Sequence, residues 1–343
     1  MKKACIVIAA GLCLAVAPTE IRAQATDMVM THKGIVRGHI VSMTAQEIEI
    51  EEAGLSRQIS VNEIKSVRFE HEPTAIESAR TEIAKGEYSE AMTLLEKLGE
   101  DETKRAELAQ DVEYLQALCA ARMALGGNGS IVDAGKQMYA FIKSHPHNYH
   151  FLDACEIEGD LLVANGLHAQ AAEFYKNLAK TPWPDYKLRA QVAMGRADLA
   201  QGKLDTAAKL FDEVIASDAA GDVAEEQRMF AKIGKARCLA STQKAAQAID
   251  MLNEIIAKAG SENEKLHALA NNALGVAYRK ADKPQEALLA FLHVELLYNS
   301  FPDLYAEALT NEAELFRELH KPAYADRVKK ALEALKQQGK EDK

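Results

Sequence analysis

The stretch SHPHNYHFLDACE, residues 144–156, gathers residue types that carry chemistry. His145, His147 and His150 stand close together, with Asp153, Cys155 and Glu156 just behind them. Imidazole, thiolate and carboxylate are transition-metal ligands, but a site requires them to converge on one point about 2 Å away, with further groups orienting them. The competing reading is a histidine-rich turn between two helices, in which Pro146 and Asn148 are the turn residues and only His145 and His147 remain to pinch an ion. Which holds depends on the elements that carry these residues.

No other segment offers a reaction. The chain has no Gly-rich phosphate loop, no H-E-x-x-H, no G-x-S-x-G and no paired-cysteine motif. GGNGS, residues 126–130, lacks the Lys-Ser/Thr that a phosphate loop requires. The sequence predicts no catalytic residue, no metal and no cofactor, and hence not an enzyme.

The first residues have the form of an export signal. A basic start is followed by an apolar run over 4–17, shorter than the roughly 20 residues that span a bilayer. Ala23, Gln24 and Ala25 then give the small-x-small pattern of a cleavage site. Cleavage is expected after Ala25, so residues 1–25 are a signal peptide and the mature chain is periplasmic or secreted in a bacterium, with no integral membrane segment. Leu12 stands where a lipid-bearing Cys13 would need a small residue. Cleavage takes the net charge from −10 to −12, since the segment carries Lys2, Lys3 and Arg22 against Glu20. So acidic a chain is poorly matched to nucleic acid or an anionic membrane surface. Cys119, Cys155 and Cys238 remain, too few and too far apart for a disulfide framework. Each lies in an Ala/Leu-rich helical context and reads as a small buried side chain, with one disulfide among the three left open.

Residues 28–71 alternate with period two: Ile48 and Ile50, Ile59 and Val61, Val67 and Phe69. Four strands are expected, over 33–42, 46–51, 57–62 and 65–70. Gly34 and Gly38 suggest a strong bend in the first, as small barrels require. The cadence is similar to an SH3-like or Sm-like barrel, and a small β-barrel-like domain over 28–71 is the expectation.

From residue 74 the period becomes helical. An alanine recurs at 91, 134, 171, 207, 248, 287 and 325, at intervals of 36 to 43 residues. Four and seven residues beyond it stand large apolar side chains, Lys329 excepted, as one helix face requires. Five residues before it come Gly86, Gly129, Gly166 and Gly202 in the first four units. Twelve before it come Ala79, Arg122, Gly159, Gly195, Ala236, Gly275 and Ala313. Six of these seven are Gly or Ala, which lets one helix lie close against its partner.

This pattern resembles the tetratricopeptide repeat, with a small residue in the first helix, Gly at the turn, and alanine then a bulky residue in the second. The best unit has Gly275, Tyr278, Ala287 and Phe291; Gly159 with Ala171 and Gly195 with Ala207 mark two more, and Gly86 with Ala91 the first. Spacing exceeds the family's 34 residues. The resemblance implies a mainly α fold: a right-handed solenoid of about seven helix pairs over 74–336, then a polar tail over 337–343. Lys329, where the core aromatic should stand, suits an end cap.

In that register SHPHN is the connection into the third unit, and its neighbours point in different directions. The family's ligands lie in the groove of the first helices. By register this implies Asp153, Glu156, Asp160, Arg189, Arg196, Asn272, Arg279 and Lys280, running from acidic to basic, an arrangement able to orient an extended peptide. The same residues also suit a plain solvated face. Trp183, in TPWPD between units, reads as junction packing or as a partner anchor. The implied function is an exported scaffold that binds another protein or peptide. The alternatives are a self-associating envelope component and a metal-binding or enzymatic protein using the histidines.

Overall fold

The computed structural model describes residues 26–99 and 101–337. The expected signal peptide and nearly all of the expected tail lie outside the described residues.

Five strands come first: β1 Asp27–Thr31, β2 Gly34–Met43, β3 Glu47–Glu52, β4 Leu55–Ser60 and β5 Ile64–Arg68. They form one antiparallel sheet in the order β4-β3-β2-β1-β5. β1 is additional to the four expected strands, and residues 61–63 form a 3-10 turn rather than the end of a strand. Gly38 makes the bend in β2: its φ is +153°, and a Cβ there would stand 2.4 Å from the Glu51 carbonyl oxygen. The expected barrel is nonetheless open, because β4 and β5 share no ladder. Helices close the inner face instead. Val29, Ile48, Ile50, Val67 and Phe69 belong to one apolar core with Ile76, Ala79 and Leu95 of the first helix pair.

Fourteen helices follow among the described residues, as seven consecutive pairs. They are α1 Thr74–Lys85 with α2 Tyr88–Glu96, α3 Ala106–Leu125 with α4 Ile131–Ser144, α5 Phe151–Ala164 with α6 His168–Ala179, and α7 Pro184–Ala200 with α8 Leu204–Ile215. Then come α9 Asp222–Ser241 with α10 Ala245–Lys258, α11 Glu264–Lys280 with α12 Pro284–Leu297, and α13 Pro302–Glu318 with α14 Pro322–Gln337. All seven repeat alanines fall on the second helices and are buried.

Small residues and aromatic rings are matched across each pair. A Cβ on Gly159 would stand 2.3 Å from the Tyr175 ring, one on Gly195 2.6 Å from Phe211, and one on Gly275 2.5 Å from Phe291. Where the first helix carries Ala79 or Ala236 instead, the second carries Leu95 or Leu252, all four buried. One methyl on one side is exchanged for ring atoms on the other, as a close-packed crossing demands. Phe211 is held doubly, since a Cβ on Gly234 of the next pair would come within 2.3 Å of it.

The turn inside each pair is equally regular. Gly86, Gly166 and Gly202 have positive φ where the first helix ends, and so do Gln243 (+62°), Asp282 (+57°) and His320 (+57°) in the last three units; in the second unit the equivalent residue is Gly127 (+85°), and the expected Gly129 lies two residues further on in the loop. Seven turns thus share one left-handed residue, which ends the first helix.

Each first helix also touches the first helix of the next pair, from α1 to α13, and α13 returns to touch α3. The solenoid therefore closes on itself. A Cβ on Gly86 would overlap the carbonyl oxygen of Ser300, and one on Gly126 would stand 2.5 Å from the Pro302 ring. GGNGS is accordingly the loop that lets the last pair approach α3. No described helix is long and apolar enough to cross a membrane. At the far end Lys329 is exposed beside Glu333.

Gln243 is the least suited of the three non-glycine turn residues to a left-handed backbone, which costs an ordinary side chain about 1–2 kcal/mol. Gln243→Gly is expected to stabilise the chain by about 0.5–1 kcal/mol net of the glycine's chain entropy, read as a rise in the thermal midpoint. A fall would place the turn elsewhere.

Candidate functional site

The inward faces of the first helices carry ion pairs that join one helix pair to another. On α5, Asp153 and Glu156 receive Arg189 of α7: Nη2 lies 2.7 Å from Asp153 Oδ1, and Nε donates to Glu156 Oε2 at 2.9 Å. The Arg189 guanidinium also lies over the Tyr186 ring, 4.6 Å from its centroid. One turn on, Arg196 Nη2 meets Asp160 Oδ1 at 2.9 Å, and Asp160 also accepts the Tyr175 hydroxyl at 2.9 Å. Burial pushes the Glu156 carboxyl up, but the charges of Arg189 and Arg196 overcome this and hold it below the usual carboxylate range.

The other end is built alike. The buried Asn272 of α11 donates to the Leu304 carbonyl of α13 at 2.9 Å and to Glu307 at 3.3 Å. Glu307 also takes Arg237 of α9 at 2.7 Å. Arg279 spans Asn311, Glu314 and Glu318 at 2.8 to 2.9 Å. Lys280 is exposed at the end of α11. The expected acidic-to-basic gradient is thus replaced by local pairs, because carboxylates and guanidinium groups on adjacent first helices face one another within hydrogen-bond reach.

Three further residues complete the interior, of which the repeat register marked only Arg122, as the one large residue at a small-residue position. Arg122 of α3, Lys265 of α11 and Asp303 of α13 come from opposite parts of the ring. Lys265 has its ammonium held below its ordinary range by desolvation and by the like charges of Arg122 and Arg196. Desolvation pulls the Arg122 guanidinium down, but Asp303 and Asp160 outweigh it and raise its pKa. Asp160 raises that of Arg196. Charges from α3, α5, α7, α11 and α13 therefore share one interior. It is open to solvent, since 47 % of the Arg196 side chain remains accessible. No signal within their own repeats marks Lys265 and Asp303; only closure of the ring brings them near Arg122.

The histidines do not converge. His150 Nε2 lies 2.8 Å from Asp111 Oδ1 and its ring stacks on Tyr114 at 3.7 Å, whereas His145 Nε2 lies 2.7 Å from Glu113. His147 is exposed on the loop. No group of three or more His, Cys, Asp or Glu among the described residues is placed to hold a metal ion. Instead His150 belongs to a clamp. Fully buried Asp111 also accepts Arg80 Nη2 of α1 at 2.6 Å and the Tyr149 hydroxyl at 2.7 Å. Burial pushes the Asp111 carboxyl up, but His150 and Arg80 bring it down to about 2. A second clamp fixes the sheet: Asp27 of β1 receives the fork of Arg105 and the backbone amides of Ile40 and Glu70.

Cys119, Cys155 and Cys238 are free and buried, and burial pushes their thiols up to about 12, 12 and 11. They pack; they do not react. Trp183 is partly buried and stands edge-on to Tyr186 at 5.2 Å, packed against the main core.

Seven nested helix pairs with small residues at their crossings define a tetratricopeptide-like helical repeat fold, and a solved structure shares it. A Rap protein complexed with competence and sporulation factor matches with a TM-score of 0.55 at 13 % identity, over 78 % of this chain and 75 % of that one. A tetratricopeptide repeat protein from Parabacteroides merdae aligns at 14 % identity, over 78 % of this chain and 96 % of that one, with a TM-score of 0.47. At such identities the likeness is one of fold. No family model and no curated protein sequence matches the chain.

Asp111→Asn removes the charge that holds Arg80 and His150, and is expected to cost roughly 3 kcal/mol, read from chemical denaturation. The depressed carboxyl contributes stability that is complete above its unfolded pKa, about 4, and is lost as pH falls toward about 2. Wild-type stability should fall across that window, and the Asn variant should fall less steeply. Parallel slopes would remove Asp111 from the account.

Proposed function

We propose that the chain is an exported interaction scaffold that binds a protein or peptide partner along the inward faces of its first helices. The observation that carries this reading is the solvent-open interior, where the charges of Arg122, Arg196, Lys265, Glu156, Asp160 and Asp303 act on one another across the ring. A polypeptide supplies charges of both signs along its length, and so can exchange with the internal pairs group by group. Asp153, Glu156, Asp160, Arg189, Arg196, Arg279 and Lys280 are then the partner-facing set; Asn272, fully buried, ties α11 to α13 instead. The cleavable N-terminal pattern supports a periplasmic or secreted location. The Rap structure, a complex with competence and sporulation factor, supports a role in recognition for this class of fold.

A second reading is self-association. Leu289, Leu296 and Leu297 lie on one face of α12 and are 60 to 68 % exposed, an apolar stripe of the kind that marks interfaces.

The test uses the mature protein, immobilised and exposed to bacterial envelope extract, with the captured partner identified and its affinity measured. Lys265→Glu with Arg122→Glu should weaken capture by about tenfold or more, while Lys209→Glu on the exposed face of α8 leaves it unchanged. Equal binding by both variants would rule out the interior. A concentration-dependent oligomer in light scattering, lost in Leu296→Glu, would favour the second reading.

A further inference from the structure

The outward side of the solenoid holds a site of different character. Between α4 and α6, with α5 as its floor, lies a cleft of about 480 Å³. Volumes of a few hundred Å³ suit specific ligands. Its walls are apolar: Val132 and Tyr139 from α4, Leu162 from α5, Leu167 and Phe174 from α6. Tyr139 meets Phe174 edge-to-face across it, with ring centroids 6.2 Å apart. Val132, Tyr139 and Leu167 are 40 to 50 % exposed along its lips.

Two carboxylates line this cleft: Glu173 is exposed and paired with Lys176, whereas Glu158 is buried and unpaired. Glu158 of α5 is 5 % exposed, and its Oε2 is sealed from water with no hydrogen-bond partner. The charged groups around it leave it unanswered. Lys136, on the wall, holds Asp133 at 2.8 Å. Glu173 on α6 has the same sign, and Tyr139 and Cys155 bring no positive charge. Gly135 of α4 stands directly above: a Cβ there would be 3.7 Å from Oε2 and 3.9 Å from Oε1, so only the glycine backbone and the lips of the cleft cover the carboxylate. Burial alone pushes the carboxyl up to about 7. An unpaired carboxylate in an apolar environment is costly. A cation on an apolar stem relieves that cost, and lysine is such a group: a compact ammonium on a flexible four-carbon chain. The cleft is several times larger than one lysine side chain, so the apolar neighbours of that lysine are accommodated between the lips.

We propose that the cleft between α4 and α6 is a docking site for a lysine of a partner polypeptide, flanked by apolar residues and paired with Glu158. This site is on the side of the solenoid away from the charged interior and stands or falls independently of it.

The test measures fluorescence anisotropy of labelled acetyl-Ala-Leu-Lys-Leu-Ala-amide on the mature protein, beside the same peptide with norleucine in place of lysine. The lysine peptide should bind on the order of tenfold more tightly, and more tightly still as pH rises through about 7, where the carboxyl ionises. Glu158→Gln should bring it to the norleucine level. Gly135→Leu fills the cleft above the carboxylate while favouring helix α4, and should abolish both. Equal affinity for the two peptides, an unaffected Glu158→Gln, or no binding at about 1 mM peptide would overturn the proposal. Displacement of the peptide by an equal concentration of n-hexylammonium chloride would assign the cleft to free amines and overturn it as well.

Discussion

A ring seated on a glycine sets the geometry of this solenoid. At Gly159–Tyr175, Gly195–Phe211 and Gly275–Phe291 the second helix lays a fully buried aromatic side chain where the first has no side chain at all. Ala79–Leu95 and Ala236–Leu252 reach the same result with smaller volumes on one side and larger on the other. An interior at crystal-like density leaves little room to vary one member without the other. The left-handed residue at each intra-pair turn, from Gly86 to His320, then fixes how the second helix departs. Pair geometry repeated seven times adds up to curvature, and the curvature brings α13 back to α3.

That return gives the chain an inside and an outside with different electrostatics. Inside, Arg189 with Asp153 and Glu156, Arg196 with Asp160, and Arg279 with Glu314 and Glu318 tie neighbouring first helices together. The more exposed of these, Arg196 with Asp160 and Arg279 with Glu314 and Glu318, contribute only about 0–1 kcal/mol each. They hold the register of the helices more than they hold the fold, and are weak enough for a polypeptide to replace. Outside, the Glu158 carboxylate is buried and unpaired beside apolar walls. The open sheet belongs to neither surface; Asp27 and Arg105 lock it to the first turns, and its core is continuous with that of α1 and α2.

The alanine phase and the glycines of the third, fourth and sixth units were legible because they repeat on a fixed offset and serve the same crossing. The left-handed turn was legible only where glycine marked it; Gln243, Asp282 and His320 adopt the same backbone with side chains that carry no such signal. Ring closure was not legible, since Gly86 meets Ser300 and Gly126 meets Pro302 across most of the solenoid. For the same reason Lys265 and Asp303 escaped notice as partners of Arg122 and Arg196. The histidines misled by composition: His150 serves Asp111 and His145 serves Glu113, and both partners lie on α3, far back in the chain. Glu158 left no trace, since one charge beside Gly159 is indistinguishable in sequence from a solvated one. The barrel expectation failed because β4 and β5 leave the sheet open while helices cover its apolar face.

The crossing itself is tested most directly by a double-mutant cycle at Gly275 and Phe291, read by chemical denaturation. Gly275→Ala alone should cost about 1–3 kcal/mol, because its methyl enters the space of the Phe291 ring. In the Phe291→Leu background the same change should cost at least about 1 kcal/mol less, since the pair then matches Ala79–Leu95. Strictly additive costs would mean that the glycine and the ring do not share one space, and would contradict the geometry on which the curvature, the closed interior and the binding face are built.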